Sequence, residues 1–270
     1  MNIELNDVRN LIAEKFNEIN FIEESHQYFI GEDEYTPVSD IIKEFEEEVN
    51  WDEKAAKYAM TYGGTKESVK RQWDINRLTA SIAGTRTHEF GESYTWLMTG
   101  HPELICQANK PQYVEEYNVL LPTYPKEESI VKFYNELPKN IVPVGAEFIL
   151  SSKYIENARK ICGTCDLLFY DTEKKGYIIG DWKTNASLQN GYKRKFNITM
   201  KEPFSNMVDD SFCHYVIQLN IYRRLLESIG LNIIGLKLIH LLPDGNYEQY
   251  DINKLDDDIL NKAIMKKEGN

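Results

Sequence analysis

The fragment Gly180-Asp181-Trp182-Lys183-Thr184 ends a strand-like run, and residues two apart in a strand share a face. Asp181 and Lys183 therefore point one way and Trp182 the other. A carboxylate can bind a hard divalent cation through oxygen. A lysine beside it can orient a water molecule or stabilise charge developing on a phosphate. Asp-x-Lys alone is weak and fits a surface salt bridge better. The preceding strand-like run carries Gly163-Thr164-Cys165-Asp166, and only the turn Asp171–Gly176 separates the two runs. An antiparallel hairpin would bring Asp166 beside Asp181, where two carboxylates repel unless a cation lies between them. Glu147 adds a third acid inside an otherwise apolar strand, so it faces either water or a charged site. His88 and Glu92, four residues apart, lie on one helical face, and neutral imidazole is a competent metal ligand. Gly84, four residues before His88, permits another backbone to approach that helix closely. His214, Gln218 and Tyr222 recur at the same spacing on a later helix, where ordinary core hydrogen bonding is the plain alternative.

The elements that must position these groups follow from periodicity. A helical repeat (Leu5, Val8, Leu11, Ile12, Phe16, Ile19) opens the chain. A strand over 21–30 follows, then a turn at Gly31-Glu32-Asp33 and a short partner at Tyr35. Ser39 reads as the N-cap of a helix from Asp40 that carries Glu44, Glu46, Glu47 and Glu48 as a solvated face. A further helix starts near Trp51 and breaks at Gly63-Gly64. The spacing then predicts helices over 79–99, 111–121 and 127–137, strands over 141–151, 161–170 and 177–183, a helix over 211–229 and a strand over 232–242. The expected architecture is an α/β (α+β) domain, residues 79–270, with residues 1–78 as an N-terminal hairpin and helical elaboration.

Composition narrows the function classes. With 31 Lys plus Arg against 43 Asp plus Glu, the 270-residue chain carries a formal charge of -12, unlike a general polyanion binder. No apolar run reaches the roughly 18 residues a membrane span needs. The start, MNIELNDVRN, has no basic region followed by an apolar stretch, so a soluble, cytoplasmic protein with four reduced cysteines is expected. From Lys183 to Lys201 the chain holds Lys183, Lys193, Arg194, Lys195 and Lys201 with no acid, a candidate phosphate-contacting loop. Tyr192 and Phe196 among these cations would suit base stacking, although a solvated loop with incidental charge is the alternative.

Taken together, Gly84–His88, Glu147, Gly163–Asp166, Asp181-Trp182-Lys183 and Gln218–Tyr222 resemble the PD-(D/E)XK nuclease superfamily. The closest match is the RecB-type branch, which includes phage and mitochondrial single-strand DNA exonucleases. The resemblance spans residues 79–242 by motif, and the run through Trp51 and Trp73 is similar to the helical lead-in of phage-encoded members. It implies a restriction-endonuclease-like core, helix–three strands–helix–strand, with a mixed central sheet flanked by helices. It also implies His88, Asp166, Asp181 and the Trp182 main-chain carbonyl as metal ligands, and Lys183 as the catalytic lysine. Glu147 would be an acidic catalytic position of less defined role, and Gln218 and Tyr222 would lie near the scissile strand. The cofactor would be Mg²⁺ or Mn²⁺. The substrate would be DNA with a free end or a single-stranded region, cleaved during recombination, repair or replication in a bacterial or phage-infected cell, with a recombination or replication protein as a possible partner. A structure-selective endonuclease on the same core, or an inactivated nuclease fold serving as a binding module, are the other readings. Some relatives hold an iron–sulfur cluster through one Cys before the His motif and three near the C-terminus. Here Cys106 follows His88 and no Cys follows Cys213, so no cluster is expected.

Overall fold

The computed structural model describes residues 5–22, 25, 27–189 and 192–266, without the side chains of Asn6 and Tyr192. The stacking role read for Tyr192 therefore lies outside the described residues. Helix α1 (Leu5–Phe16) buries Val8, Ile12 and Phe16, as its periodicity requires. The run read as one strand over 21–30 is two, because Ile22 pairs with Gln27: β1 (Ile19–Ile22) and β2 (Gln27–Ile30) are antiparallel, and β3 (Asp33–Pro37) continues the meander. Helix α2 (Val38–Lys43) is capped by Pro37, so Ser39 lies inside it rather than at its start. The four glutamates at 44–48 follow this helix instead of riding on it.

Helix α3 (Trp51–Tyr62) starts where the Asn50 side chain accepts the Glu53 amide, and ends at Gly63. Helix α4 (Lys66–Met98) is longer than the 79–99 expected, with 33 residues spanning about 50 Å. A Thr65–Ser68 capping box sets its start, and Val69 and Trp73 pack on Ala55 and Ala59 of α3. The boundary expected at 78/79 thus falls within α4. No helix forms over 111–121. That stretch holds 3₁₀ turns and two-residue strands, β4 (Tyr113–Val114) and β5 (Val119–Leu120), paired around Asn118 at φ 50. Helix α5 (Pro125–Glu136) lies close to its expected place.

Strands β6 (Ile141–Ser151), β7 (Ile161–Asp171), β8 (Gly176–Lys183), β9 (Ile233–Leu241) and β10 (Tyr247–Asp251) complete an eight-stranded mixed sheet with β1–β3. β6–β7–β8 are antiparallel, and β8–β9 are parallel through the crossover helix α7 (Ser211–Glu227). Between them lies the one-turn α6 (Tyr192–Lys195), and α8 (Asp257–Ile264) closes the described chain. One core packs under α1, α2, α7 and α8, and a second under α4 and α5, so helices flank both sheet faces. Among the described residues, no helix is long and apolar enough to cross a membrane.

One register feature creates the site. Along a single edge of β7, β3 pairs at Ile161–Cys162 and β8 pairs at Leu167–Asp171, leaving 163–166 without a ladder partner there. Beyond Gly180, β8 runs on beside β9, with Asp181 opposite Leu238 and Lys183 opposite His240. The sheet opens at this point, and Asp166 and Asp181 face each other across the mouth.

Candidate metal centre

The opening frees the main-chain amide of Trp182, and the carboxylate of Asp166 captures it: the N–H donates to Oδ2 at 3.0 Å. The same oxygen lies 3.4 Å from Nδ1 of His88, whose ring also hydrogen-bonds the Trp182 main chain. Helix α4 can bring His88 this close because the Trp182 indole lies against Gly91, where a Cβ would sit 2.7 Å from Nε1. At Gly84 the approach is milder and comes from a side chain, since a Cβ there would lie 3.2 Å from Thr184 Oγ1. Glu147 stands across from Asp166, between the pairs Ala146–Leu167 and Phe148–Cys165, with φ at 53. That left-handed backbone is rare for a residue with a side chain. One ligand atom each from His88, Glu147 and Asp166 falls within 4.8 Å of the others.

Asp181 is buried, and its Oδ2 lies 2.6 Å from Lys183 Nζ, yet neither carboxylate oxygen makes a well-directed hydrogen bond. The Lys183 ammonium sits 4.1 Å over the Tyr215 ring. Gln218 Nε2 donates to Tyr222 Oη at 2.9 Å, and both line the same cleft of about 890 Å³ as His88, Glu147, Asp166 and Lys183. The sequence grouped Asp181 with the metal ligands and set Glu147 apart; the geometry places Glu147 with His88 and Asp166, and Asp181 beside the lysine.

The site is short of positive charge. Burial, then Asp166, Glu92 and Asp181, push the Glu147 carboxyl well above its usual range. Burial also raises Asp166, against the pull of Lys183 and the Trp182 amide. Asp181 is pushed up to about 6 by burial and Asp166, with Lys183 opposing. Burial draws Lys183 down, but Asp181 and Asp166 outweigh it and leave its pKa raised. His88 is lowered to about 4 by burial and by Lys183, so it is the neutral, ligand-competent form at neutral pH. Three crowded carboxylates with Lys183 as the one ammonium among them, and a neutral imidazole, fit an oxygen-preferring divalent cation. Such a cation must compete with protons for the carboxylates. The rise in melting temperature on adding Mn²⁺ should therefore grow with pH, as the raised carboxyls of Glu147 and Asp166 give up their protons, while His88 stays neutral throughout. Thermal scans at pH 5 to 8, with and without metal, measure this; a pH-independent rise would rule out carboxylate ligation.

The basic segment departs from expectation. Lys193 Nζ lies 2.7 Å from Asp209 and 3.5 Å from Glu46, and Arg194 pairs with Asp210, so these cations brace the chain against the start of α7 rather than awaiting phosphate. Lys195 is exposed, with Nζ 6.0 Å from the Phe196 ring. His214 leaves the cleft despite its spacing with Gln218 and joins this network, 2.7 Å from Asp209. Glu46, Asp209 and His214 approach ligand-like distances, but Lys193 and the Glu47 amide already occupy the Asp209 carboxylate. Sequence reasoning missed Tyr215, although its position three residues before Gln218 places it near that face. Tyr28, whose Oη lies 3.2 Å from Thr164 Oγ1 at the cleft wall, carried no sequence signal.

Cys162 packs with Tyr28 and Tyr35, whereas Cys165 belongs to the core under α7, so the two thiols do not converge. Burial pushes Cys162 up to about 12 and Cys165 well above its usual value. Replacing Cys162 by Ser and Cys165 by Ala should leave any activity within a small factor. One equivalent of iron or zinc in purified protein, measured by elemental analysis, would contradict this reading of the thiols.

No family model matches the chain, and no curated protein matches it. The crystal structure of SSO0001 is similar at 16% identity and a TM-score of 0.34, covering 95% of this chain and 82% of that one, a likeness too distant to bear on function.

Proposed function

We propose that the protein is a Mg²⁺- or Mn²⁺-dependent deoxyribonuclease on a restriction-endonuclease-like core of the PD-(D/E)XK, RecB type, an exonuclease acting in DNA recombination, repair or replication. The observation that carries this reading is the placement of Asp166, Glu147 and His88 beside the Asp181–Lys183 pair where the sheet opens. Asp166, Glu147 and His88 would hold the cation, with Asp181 and the Trp182 carbonyl adjacent. When bound, it would supply Lewis-acid stabilisation of charge on the phosphoryl oxygens and favour ionisation of the attacking water. Lys183, held between Asp181 and the Tyr215 ring, keeps its proton and presents a fixed ammonium where that charge develops. Asp181 orients this ammonium, and the Gln218–Tyr222 pair forms a polar floor that can orient the strand.

End-labelled linear, circular and single-stranded DNA, each incubated with Mg²⁺, Mn²⁺ or EDTA, tests the proposal. Metal-dependent loss of linear DNA with circles spared supports an exonuclease. Cleavage of circles would indicate the endonuclease reading, and no cleavage of any DNA with either metal would overturn the nuclease itself.

A further inference from the structure

We infer that Trp51, Trp73, Tyr58 and Tyr62 form a base-stacking platform for single-stranded DNA on the α3–α4 hairpin, engaging the strand beyond the cleft; this rests on the nuclease reading. The two helices join through small residues: Ala55, Ala59 and Val69 are buried, with Trp73 packed against them at the edge. The other rings are left outside that core. Trp51 is 56% exposed, Tyr58 46% and Tyr62 72%. They nevertheless touch in series: Trp51 meets Trp73 with centroids 6.1 Å apart, Trp73 meets Tyr58 at 5.9 Å, and Tyr58 meets Tyr62 at 4.5 Å. A contiguous, solvent-exposed apolar patch marks a binding surface more often than single exposed rings do. Every nucleobase offers such rings a π-face, so stacking holds a strand whatever its sequence.

Helical spacing ties the platform to the cleft. Trp73, Arg77, Ala80, Gly84 and His88 follow one another on α4 at intervals of four, three, four and four, so they share one face. Ala80, Gly84 and His88 line the cleft. Trp73 stands about 22 Å before His88 along that face, at a rise of about 1.5 Å per residue. Trp51 and Trp73 therefore form the end of the platform nearer the cleft, and Tyr62, beside the Gly63 cap, forms the far end. Charge agrees with a polyanion. Residues 51–78 carry six Lys and Arg against four Asp and Glu, in a chain whose formal charge is -12. Lys54 Nζ lies 4.7 Å over the Trp51 ring, and the largely exposed Arg77 stands on the shared face between Trp73 and Ala80. The exposed Arg77–Asp74 pair at 3.3 Å contributes less than about 1 kcal/mol, so it yields readily to a phosphate. An apolar protein face would leave these cations unmatched. A duplex keeps its bases stacked inside, whereas a single strand meets both rings and cations.

The test uses single-stranded oligonucleotides in Ca²⁺ buffer, with binding followed by fluorescence anisotropy. One abasic site, which removes a base and keeps its phosphates, is moved along the strand. Wild-type protein should lose roughly tenfold in affinity at a set of positions several nucleotides from the cleaved end. Tyr58→Leu combined with Tyr62→Leu should weaken binding of the intact strand by about ten- to a hundredfold and abolish the sensitivity at those positions. The salt slope should stay that of the wild type, because no phosphate contact is removed. Tyr58→Phe with Tyr62→Phe should keep both affinity and abasic sensitivity, since the ring stacks and the hydroxyl does not. The abasic scan on wild-type protein needs no variant, so misfolding cannot mimic the result. A flat scan beyond the cleft, or wild-type affinity in the leucine double variant, would overturn the platform while cleavage by the wild type still supports the nuclease reading. A double variant that changes oligomeric state in sedimentation but binds DNA as the wild type does would assign the rings to an interface between copies and overturn the platform equally. Wild-type protein that neither binds nor cleaves DNA would overturn both readings.

Discussion

Asp166→Asn and Asp181→Asn should each lower metal-dependent DNA cleavage on the order of 10³-fold and, in metal-free buffer at pH 7.5, raise the melting temperature. For Asp166→Asn the loss of activity follows from removing a carboxylate of the cation site, and for Asp181→Asn from releasing the Lys183 ammonium that Asp181 orients, each a contribution of several kcal/mol to the transition state. The gain in stability follows from burial. Asp181 is 1% exposed and its carboxyl is pushed up to about 6 from 3.8, so the folded state favours the protonated group. For a carboxylate raised in this way, the stabilising contribution is fully present below about 3.8 and is lost as pH rises through about 6. At pH 7.5 the wild type carries the whole cost, about 3 kcal/mol. An amide never ionises and avoids it, so the advantage of Asp181→Asn should vanish near pH 4. Saturating Mn²⁺ should reverse the ranking, because the wild type alone gains the full binding energy. If Asp181→Asn instead melts lower in metal-free buffer, the 2.6 Å pair with Lys183 outweighs burial, and the apo site is not short of cation.

How far the sequence carried the fold depends on where each element's stabilising partners lie. Strands 141–151, 161–170 and 177–183 and the helix over 211–229 are apolar runs bounded by turns, and their observed limits differ by a residue or two. The juxtaposition of Asp166 and Asp181 was legible because a short hairpin fixes register locally. The first half of α4 was not, since most of it is exposed, Ile75, Leu78 and Ile82 included, and only a cap and a narrow contact with α3 mark it as helix. Alternation along β6 left Glu147 between water and a charged site; the left-handed backbone that aims it at His88 and Asp166 has no signature in residue type. The basic segment misled for another reason. Its neutralising acids lie outside the 183–201 window: Asp209 and Asp210 follow it, and Glu46 is 147 residues from Lys193. Charge counted within a window cannot see pairing across the fold.

Lys193→Met should therefore act on stability rather than on DNA affinity. Asp209 is fully buried, and its carboxylate is held by Lys193 at 2.7 Å, His214 at 2.7 Å and the Glu47 amide at 2.6 Å. Burial alone would raise its pKa, but these partners outweigh burial and leave it below the ordinary value, so the carboxylate stays charged in the fold. Removing the ammonium leaves a buried charge with two partners instead of three. Deleting one member of a buried pair costs about 3–5 kcal/mol when nothing replaces it; the remaining imidazole and amide, and the partial exposure of Lys193, reduce this to roughly 2–3 kcal/mol. For a chain of this size that is a fall of about 4–12 °C in melting temperature. Asp209→Asn together with Lys193→Met should recover much of the loss, since the charge requiring neutralisation is then absent. The salt slope of DNA binding should match the wild type in both variants at a temperature where they are folded. A slope lower by about one unit with an unchanged melting temperature would show instead that Lys193 contacts a phosphate, and that its pairing with Asp209 gives way when the strand binds.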